Sequence, residues 1–213
     1  MRVNHKKTQL LCVSANASGN TSSYIKYNGE KILSGSELKI LGFVFGQKPT
    51  VRPHVDYMLA KARKKLWALR HLKRAGLSES DLLSNYYSLV RSTLEYAAPT
   101  FHPMLSAGMS DELEYIQKRA CKLIFGWDAS YNDLVSNGKI ETLKSRRNKL
   151  TLNFAKKCEK NPRFKPWFAE KDYSNLNLRE ERRFEELFAR TERLKNSPLF
   201  YMRRALNDDC EEN

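Results

Sequence analysis

The chain has 213 residues, an apolar fraction of 41% and a formal charge of +14 with a pI near 9.7. That apolar content can supply a core, which excludes wholesale disorder, and the length suits one large domain or two small ones. No run of ~18 apolar residues predicts a membrane span and no apolar signal core opens the chain, so the expected location is cytoplasmic or nuclear, not secreted.

The first 46 residues read as β structure. Gln9–Ser14 suits a short strand, and Tyr24–Tyr27 and Glu30–Leu33 flank Asn28-Gly29, a strong hairpin signal. Leu38 to Phe45 reads as one further strand, so the expectation is a small antiparallel sheet with no second layer of its own. From Pro53 the period becomes helical. Val55, Leu59, Ala62, Leu66 and Leu69 form an apolar stripe that ends at a Gly76 cap. Ser78 and Asp81 open a second helix through Leu82, Tyr86, Val90, Thr93 and Ala97, stopped before Pro99. A third helix runs from near Ser110 to Gly126, and a helical turn runs from Asn132 to Ser136. Glu141 to Glu159 makes a fifth, with Leu143, Leu150 and Phe154 on its buried side. Leu178–Leu194 suggests a helix with Phe184, Leu187 and Phe188 on one side, Leu199–Leu206 a last short one, and the acidic end a frayed tail. The fold class expected is α+β, mainly α: a small sheet followed by a helical bundle.

The positive charge is clustered. Residues 50–76 carry eight Lys and Arg against Asp56 alone, and residues 139–171 carry eleven against Glu141, Glu159 and Glu170. Clustering of this kind points to a polyanionic partner, nucleic acid above all, more than to generic solubility. On a helical wheel Lys61 and Lys65 flank one edge of the first apolar stripe, and Arg63, Arg70 and Arg74 the other. Lys61, Lys64, Lys65, Arg70, Lys73 and Arg74 are the phosphate-contacting candidates there. Lys144, Arg146, Arg147 and Lys149 form the densest second cluster. Among the aromatics, Trp67, Tyr86 and Tyr96 sit at helical spacing and read as core, whereas Trp167 and Phe168 lie in a basic, aperiodic stretch suited to base stacking.

Catalytic patterns are sparse. The chain has no GxSxG, no HExxH and no Gly-rich phosphate loop. Its cysteines, at 12, 121, 158 and 210, share no CxxC spacing and read as reduced thiols. The pair Asp208-Asp209 has no strands around it of the kind that hold two metal ions rigidly. No metal site and no cofactor are expected.

Several words in order resemble one family. Asn4-x-x-Lys7-Thr8 ahead of a strand is similar to the motif that follows the catalytic hairpin of non-LTR (LINE-type) retrotransposon reverse transcriptases. The hairpin at Tyr24–Leu33 and the Leu41-Gly42 pair resemble the lead into the thumb, followed by His54-Val55, Lys61-Ala62 and Lys65-Leu66. Arg91 to Pro99 is close to the family's "leY-a-P" word, and Leu113 to Ala120 to its "LE-x-x-Q-(K/R)-x-(A/C)" helix. Arg146-Arg147, Asn196-Ser197-Pro198 and Leu206-Asn207 resemble later words.

The resemblance implies residual palm and primer-grip strands over 1–48, thumb-like helices over 49–105, a helical C-terminal extension over 106–207 and an acidic tail over 208–213. It also implies a fragment of an RNA-directed DNA polymerase, clipped or decayed, that retains template–primer binding, with RNA and RNA–DNA hybrid as partners and the palm and fingers portion as a further one. Polymerisation in that family needs an aspartate pair, (F/Y)-x-D-D, to hold Mg2+; no such word occurs here, so Mg2+ belongs only to the intact parent and no catalysis is expected from this chain alone. Lys7 is similar in position to a basic residue proposed to protonate the pyrophosphate leaving group. The alternative from a different class is a helical protein–protein interaction module whose charge serves solubility.

Overall fold

Asn28 and Gly29 both take positive φ, 49° and 81°, which closes a two-residue turn of the twist that hairpins favour. In a computed structural model that describes residues 4, 7–14, 23–168, 170, 183–185 and 187–211, this turn joins β2 (Tyr24–Tyr27) to β3 (Glu30–Gly35). β1 (Leu10–Leu11) then pairs with β3 in parallel, Leu10 opposite Ser34, so the first sheet is mixed and not purely antiparallel. The single strand expected over Leu38–Phe45 is instead a second hairpin, β4 (Glu37–Ile40) and β5 (Phe43–Gly46). Its turn is Leu41-Gly42, again with both φ positive, at 48° and 85°. A leucine in that region costs ~1 kcal/mol and is held there from outside: the Tyr96 hydroxyl donates to the Leu41 carbonyl. A methyl group at Gly42 would lie 3.1 Å from the same ring, which is why the position after Leu41 is glycine.

Pro53 sits in the first turn of α1 (Arg52–Arg74), and Gly76 at φ 87° lets the Leu77 amide return to the Leu72 carbonyl at 3.3 Å. The expected stripe is buried, and His54 and Met58 join it. The second helix departs from a plain α-helix. It comprises α2 (Glu79–Asn85), a π-helical stretch Tyr86–Arg91, and α3 (Ser92–Glu95), and it ends at Ala97 with φ 57° before α4 (Ala98–Phe101). Leu82, Tyr86, Val90, Leu94 and Ala98 recur every fourth residue and all are buried. Strict four-residue spacing drifts around a regular 3.6-residue helix, so the wider π turn brings these side chains back into line.

α5 (Ala107–Phe125) starts earlier than expected because Ser106, not Ser110, is its cap, accepting from the Met109 amide. It crosses α1 and carries a polar pair into the interior. Gln117 is fully buried: it accepts from the Tyr86 hydroxyl and donates to the Tyr131 hydroxyl at 2.7 Å and the Glu141 carbonyl at 2.9 Å. Glu114 accepts from the Tyr131 hydroxyl and from the Leu143 amide at 3.1 Å. This joins α6 (Tyr131–Ser136) and the first turn of α7 (Leu143–Lys160) to α5, with a carboxylate at the positive end of α7. One core runs from Phe43 through α1, the π stretch and α5 to Leu143, so it spans position 105 rather than dividing there.

α7 buries a different face from the one expected. Leu143, Arg147, Thr151, Ala155 and Cys158 point inward, Leu150 is half-buried and Phe154 is 45% exposed. Ala155 and Cys158 open a second core with Phe168, Phe184, Met202 and Leu206. Phe184 is held as a strand partner would hold it, its amide donating to Asn207 Oδ1 at 2.9 Å and its carbonyl accepting from Nδ2 at 3.1 Å. Where the expected Leu178–Leu194 helix falls on described residues, 183–185 and 187–190 are non-helical and only α8 (Glu192–Lys195) is helix; its remainder lies outside them. The last helix, α9 (Pro198–Glu211), takes in Asp208, Asp209 and Glu211 of the tail expected to fray, and Asp209 pairs with Lys156 at 2.7 Å; residues 212–213 lie outside the described residues.

Replacing Gln117 with Leu keeps the volume but strands the Tyr86 hydroxyl in an apolar surround, a cost of about 2–3 kcal/mol. Urea denaturation should show that loss, with the transition remaining a single step across α1, α5 and α7; a loss under about 1 kcal/mol would show that the neighbours repartner.

Candidate nucleic-acid interface

The basic side chains of α1 lie on both edges of a buried stripe, and the two edges face different neighbours. On the edge toward α3, Lys65 turns inward: its ammonium donates to the Leu89 carbonyl at 2.8 Å and to Thr93 Oγ1 at 2.6 Å. It thereby satisfies a carbonyl of the π turn, with two of its three N–H bonds committed inside the fold. Lys61 is exposed and lies over the Tyr57 ring, 5.4 Å from its centroid.

On the edge toward α5, Arg63, Trp67 and Arg70 share one face at helical spacing, opposite Tyr115 and Arg119 of α5. With Leu66, Ile116 and Leu123 they line a cleft of about 300 Å3, and among the described residues no carboxylate lines it. Trp67 is 62% exposed and Tyr115 55%, and the Arg119 guanidinium sits 5.8 Å from the Tyr115 ring centroid. Trp67 was expected in the core, but its position falls one step outside the stripe of Leu66 and Leu69, so its ring stands on the surface against His71 at 4.0 Å. Arg119 and Tyr115 were not among the sequence candidates. Their i, i+4 spacing beside buried Ile116 and Ala120 is the signal that could have placed them.

The remaining candidates divide. Lys64 and Arg74 are exposed. Lys73 reaches across to the end of α5, donating to the Leu123 carbonyl and to that of Ile124 at 3.3 Å, where a cation meets the negative helix terminus. Trp167 is 49% exposed, while Phe168 is buried against Phe184. Tyr86 is buried as expected, but Tyr96, expected in the core, is 52% exposed and carries the hydroxyl that holds the β4–β5 turn. Lys7 is exposed in a turn that its own amide closes onto the Asn4 carbonyl at 3.1 Å.

The α7 cluster does not form the basic surface expected of it. Arg146 makes a bidentate pair with Glu95, at 2.6 and 3.0 Å, and Lys149 pairs with Glu141 at 2.7 Å. Arg147 is fully buried, donating to Ser110 Oγ at 2.7 Å and approaching His102 Nδ1 at 3.4 Å; Lys144 remains exposed. Arg147 is internal because α7 presents the Leu143–Thr151 face to α4 and α5, and the stem of an arginine at that register packs like an apolar side chain.

Burial holds the His102 imidazole down at about 4, with a hydrogen bond to Asn148 opposing and Arg147 and Lys144 assisting. His54, stacked on Phe43 at 4.0 Å, is likewise held at about 4 by burial. The Cys121 and Cys158 thiols are pushed up by burial, to about 12 in the first, which suits inert core cysteines. Among the described residues no cluster of three or more His, Cys, Asp or Glu is arranged to hold a metal ion, and no helix is long and apolar enough to cross a membrane. No protein-family model, curated protein or solved structure matches this chain.

The Arg146–Glu95 pair is mostly shielded from water, with 27% and 12% side-chain exposure, so a double-mutant cycle to alanine should show a coupling of about 1–3 kcal/mol. An additive cycle would reduce the pair to a surface contact. The two histidines predict acid sensitivity. In the unfolded chain they take up protons near 6.5, while in the fold they resist until about 4, so the unfolded state binds more protons between those values. Stability is therefore complete above pH ~6.5 and falls as pH drops toward ~4, by on the order of 2–3 kcal/mol for His54. Urea titrations at neutral and acid pH should show it, and His54→Gln should flatten the acid-side slope.

Proposed function

We propose that this chain is a nucleic-acid-binding segment of a LINE-type reverse transcriptase, gripping template–primer through the cleft between α1 and α5 and inert as a polymerase on its own. The observation that carries the binding is that cleft: three arginines and two half-exposed aromatic rings with, among the described residues, no carboxylate in the lining. Guanidinium groups neutralise phosphates without needing base-specific geometry, and an exposed indole gives a base or sugar a flat surface. The family assignment rests on the order of the sequence words. It is supported by what those words do: Tyr96 seats the Leu41-Gly42 turn, Glu95 pairs with Arg146, and Glu114 and Gln117 bind α5 to α6 and α7. The absence of an (F/Y)-x-D-D word is the ground for expecting no copying.

Fluorescence anisotropy with a labelled RNA–DNA hybrid tests the binding. Affinity should fall by orders of magnitude between about 50 and 200 mM salt, as released counterions require. Arg63→Ala, Arg70→Ala and Arg119→Ala should each lower the log–log salt slope by about 1, and Trp67→Ala should weaken binding by about 1–3 kcal/mol. Arg146→Ala should leave the slope unchanged, since Glu95 already holds that side chain. A salt-independent response, or no binding at low salt, would sink the reading in favour of a helical protein-interaction module. Primer extension by the chain alone should yield no product.

A further inference from the structure

The other edge of α1 closes a second, smaller recess that the cleft does not use. It measures about 240 Å3 and is walled by Lys39 of β4, Tyr57 and Lys61 of α1, and Ser92 and Tyr96 at the end of the second helix. The Lys39 ammonium donates to the Tyr57 hydroxyl at 2.6 Å and lies 4.4 Å from that ring's centroid. Lys61 approaches the same ring from its own helix at 5.4 Å. Two cations thus converge on one phenol, and among the described residues no carboxylate lines the recess. The neighbouring Asp56 is engaged instead by Arg52, at 2.7 Å.

Like charges gathered without a counter-charge are unfavourable in isolation, and here the gathering is built by tertiary structure. Lys39 arrives on a hairpin whose strained Leu41 turn is pinned by Tyr96, so strand, helix and turn all help to set the site. Hydrogen-bond capacity points the same way. One of the three N–H bonds of Lys39 is used on Tyr57, leaving two, and Lys61 approaches the same hydroxyl with at least two of its own to spare. The Ser92 hydroxyl has already given its proton to the Ser88 carbonyl, so the recess presents ammonium donors above all. Ammonium groups act as point charges, which suits a compact tetrahedral oxyanion better than a planar carboxylate that prefers an arginine fork. We infer that the recess between β4, α1 and α3 is a binding site for a phosphate dianion, either free in solution or carried at the end of a nucleic-acid strand.

This site stands apart from the α1–α5 cleft, and its test does not depend on that cleft. Inorganic phosphate titrated into the full chain at constant ionic strength, followed by calorimetry, should show one saturable site. Lys39→Gln and Lys61→Gln should each weaken it by about tenfold or more, with unfolding unchanged. Arg70→Ala should not affect it. An independent readout is the Tyr57 phenolate, which the two lysines hold below the ordinary tyrosine value. Bound phosphate should move its ultraviolet titration to higher pH, seen as the difference between the wild-type chain and Tyr57→Phe. A 5′-phosphorylated oligonucleotide compared with its 5′-hydroxyl twin then identifies the source. Tighter binding of the first marks a strand end, and equal binding beside saturable inorganic phosphate marks the free ion. Phosphate binding that does not saturate, or that survives both lysine substitutions, overturns the site.

Discussion

The polar pair of half-buried Glu114 and fully buried Gln117 is the constraint on which the helical body depends. Each sits on α5 where an apolar residue would pack as well, and each instead meets a specific partner on another element. An amide with no exposure must be satisfied or it costs a few kcal/mol, so Gln117 admits only an arrangement that supplies Tyr86, Tyr131 and the Glu141 carbonyl together. Hydrophobic burial alone would tolerate sliding of α7 along α5. The Glu114 carboxylate on the Leu143 amide removes that freedom by fixing where α7 begins.

From that fixed start the register of α7 follows, and with it the fate of its basic residues. Four-residue steps from Leu143 carry Arg147 into the interior and swing Arg146 onto Glu95. Two arginines that look like a basic patch are thereby consumed in holding helices together. Much of the positive charge on α1 is spent similarly, Lys65 on the π turn and Lys73 on the end of α5. Of the rest, Arg63, Arg70 and Arg119 lie where two helices cross and leave aromatic rings standing. Net charge signals a polyanionic partner, but only the unsatisfied part of it marks the surface.

The words that carry the family resemblance have structural jobs. Tyr96 pins a left-handed Leu41, Glu95 receives Arg146, Gln117 organises three helices, and Asn207 completes Phe184 as a strand would. Arg119, one turn beyond Tyr115, fills an unspecified position of its word and is left exposed by the fold.

Periodicity and turn chemistry alone determined a good part of this protein. The Asn28-Gly29 hairpin, the α1 stripe with its Gly76 end and the Ser78 cap are local, because backbone dihedrals and side-chain spacing are settled by near neighbours. Leu41-Gly42 was read through as strand, since a leucine at positive φ is unfavourable until Tyr96 arrives from 55 residues away. Likewise the π turn, the buried face of α7 and the strand-like Phe184 depend on partners distant in sequence. The candidate site was half legible: its charge lay in the composition, but which cations remain free was decided by tertiary contacts. A lysine or arginine is long enough to reach either water or a carbonyl, and only packing chooses between them.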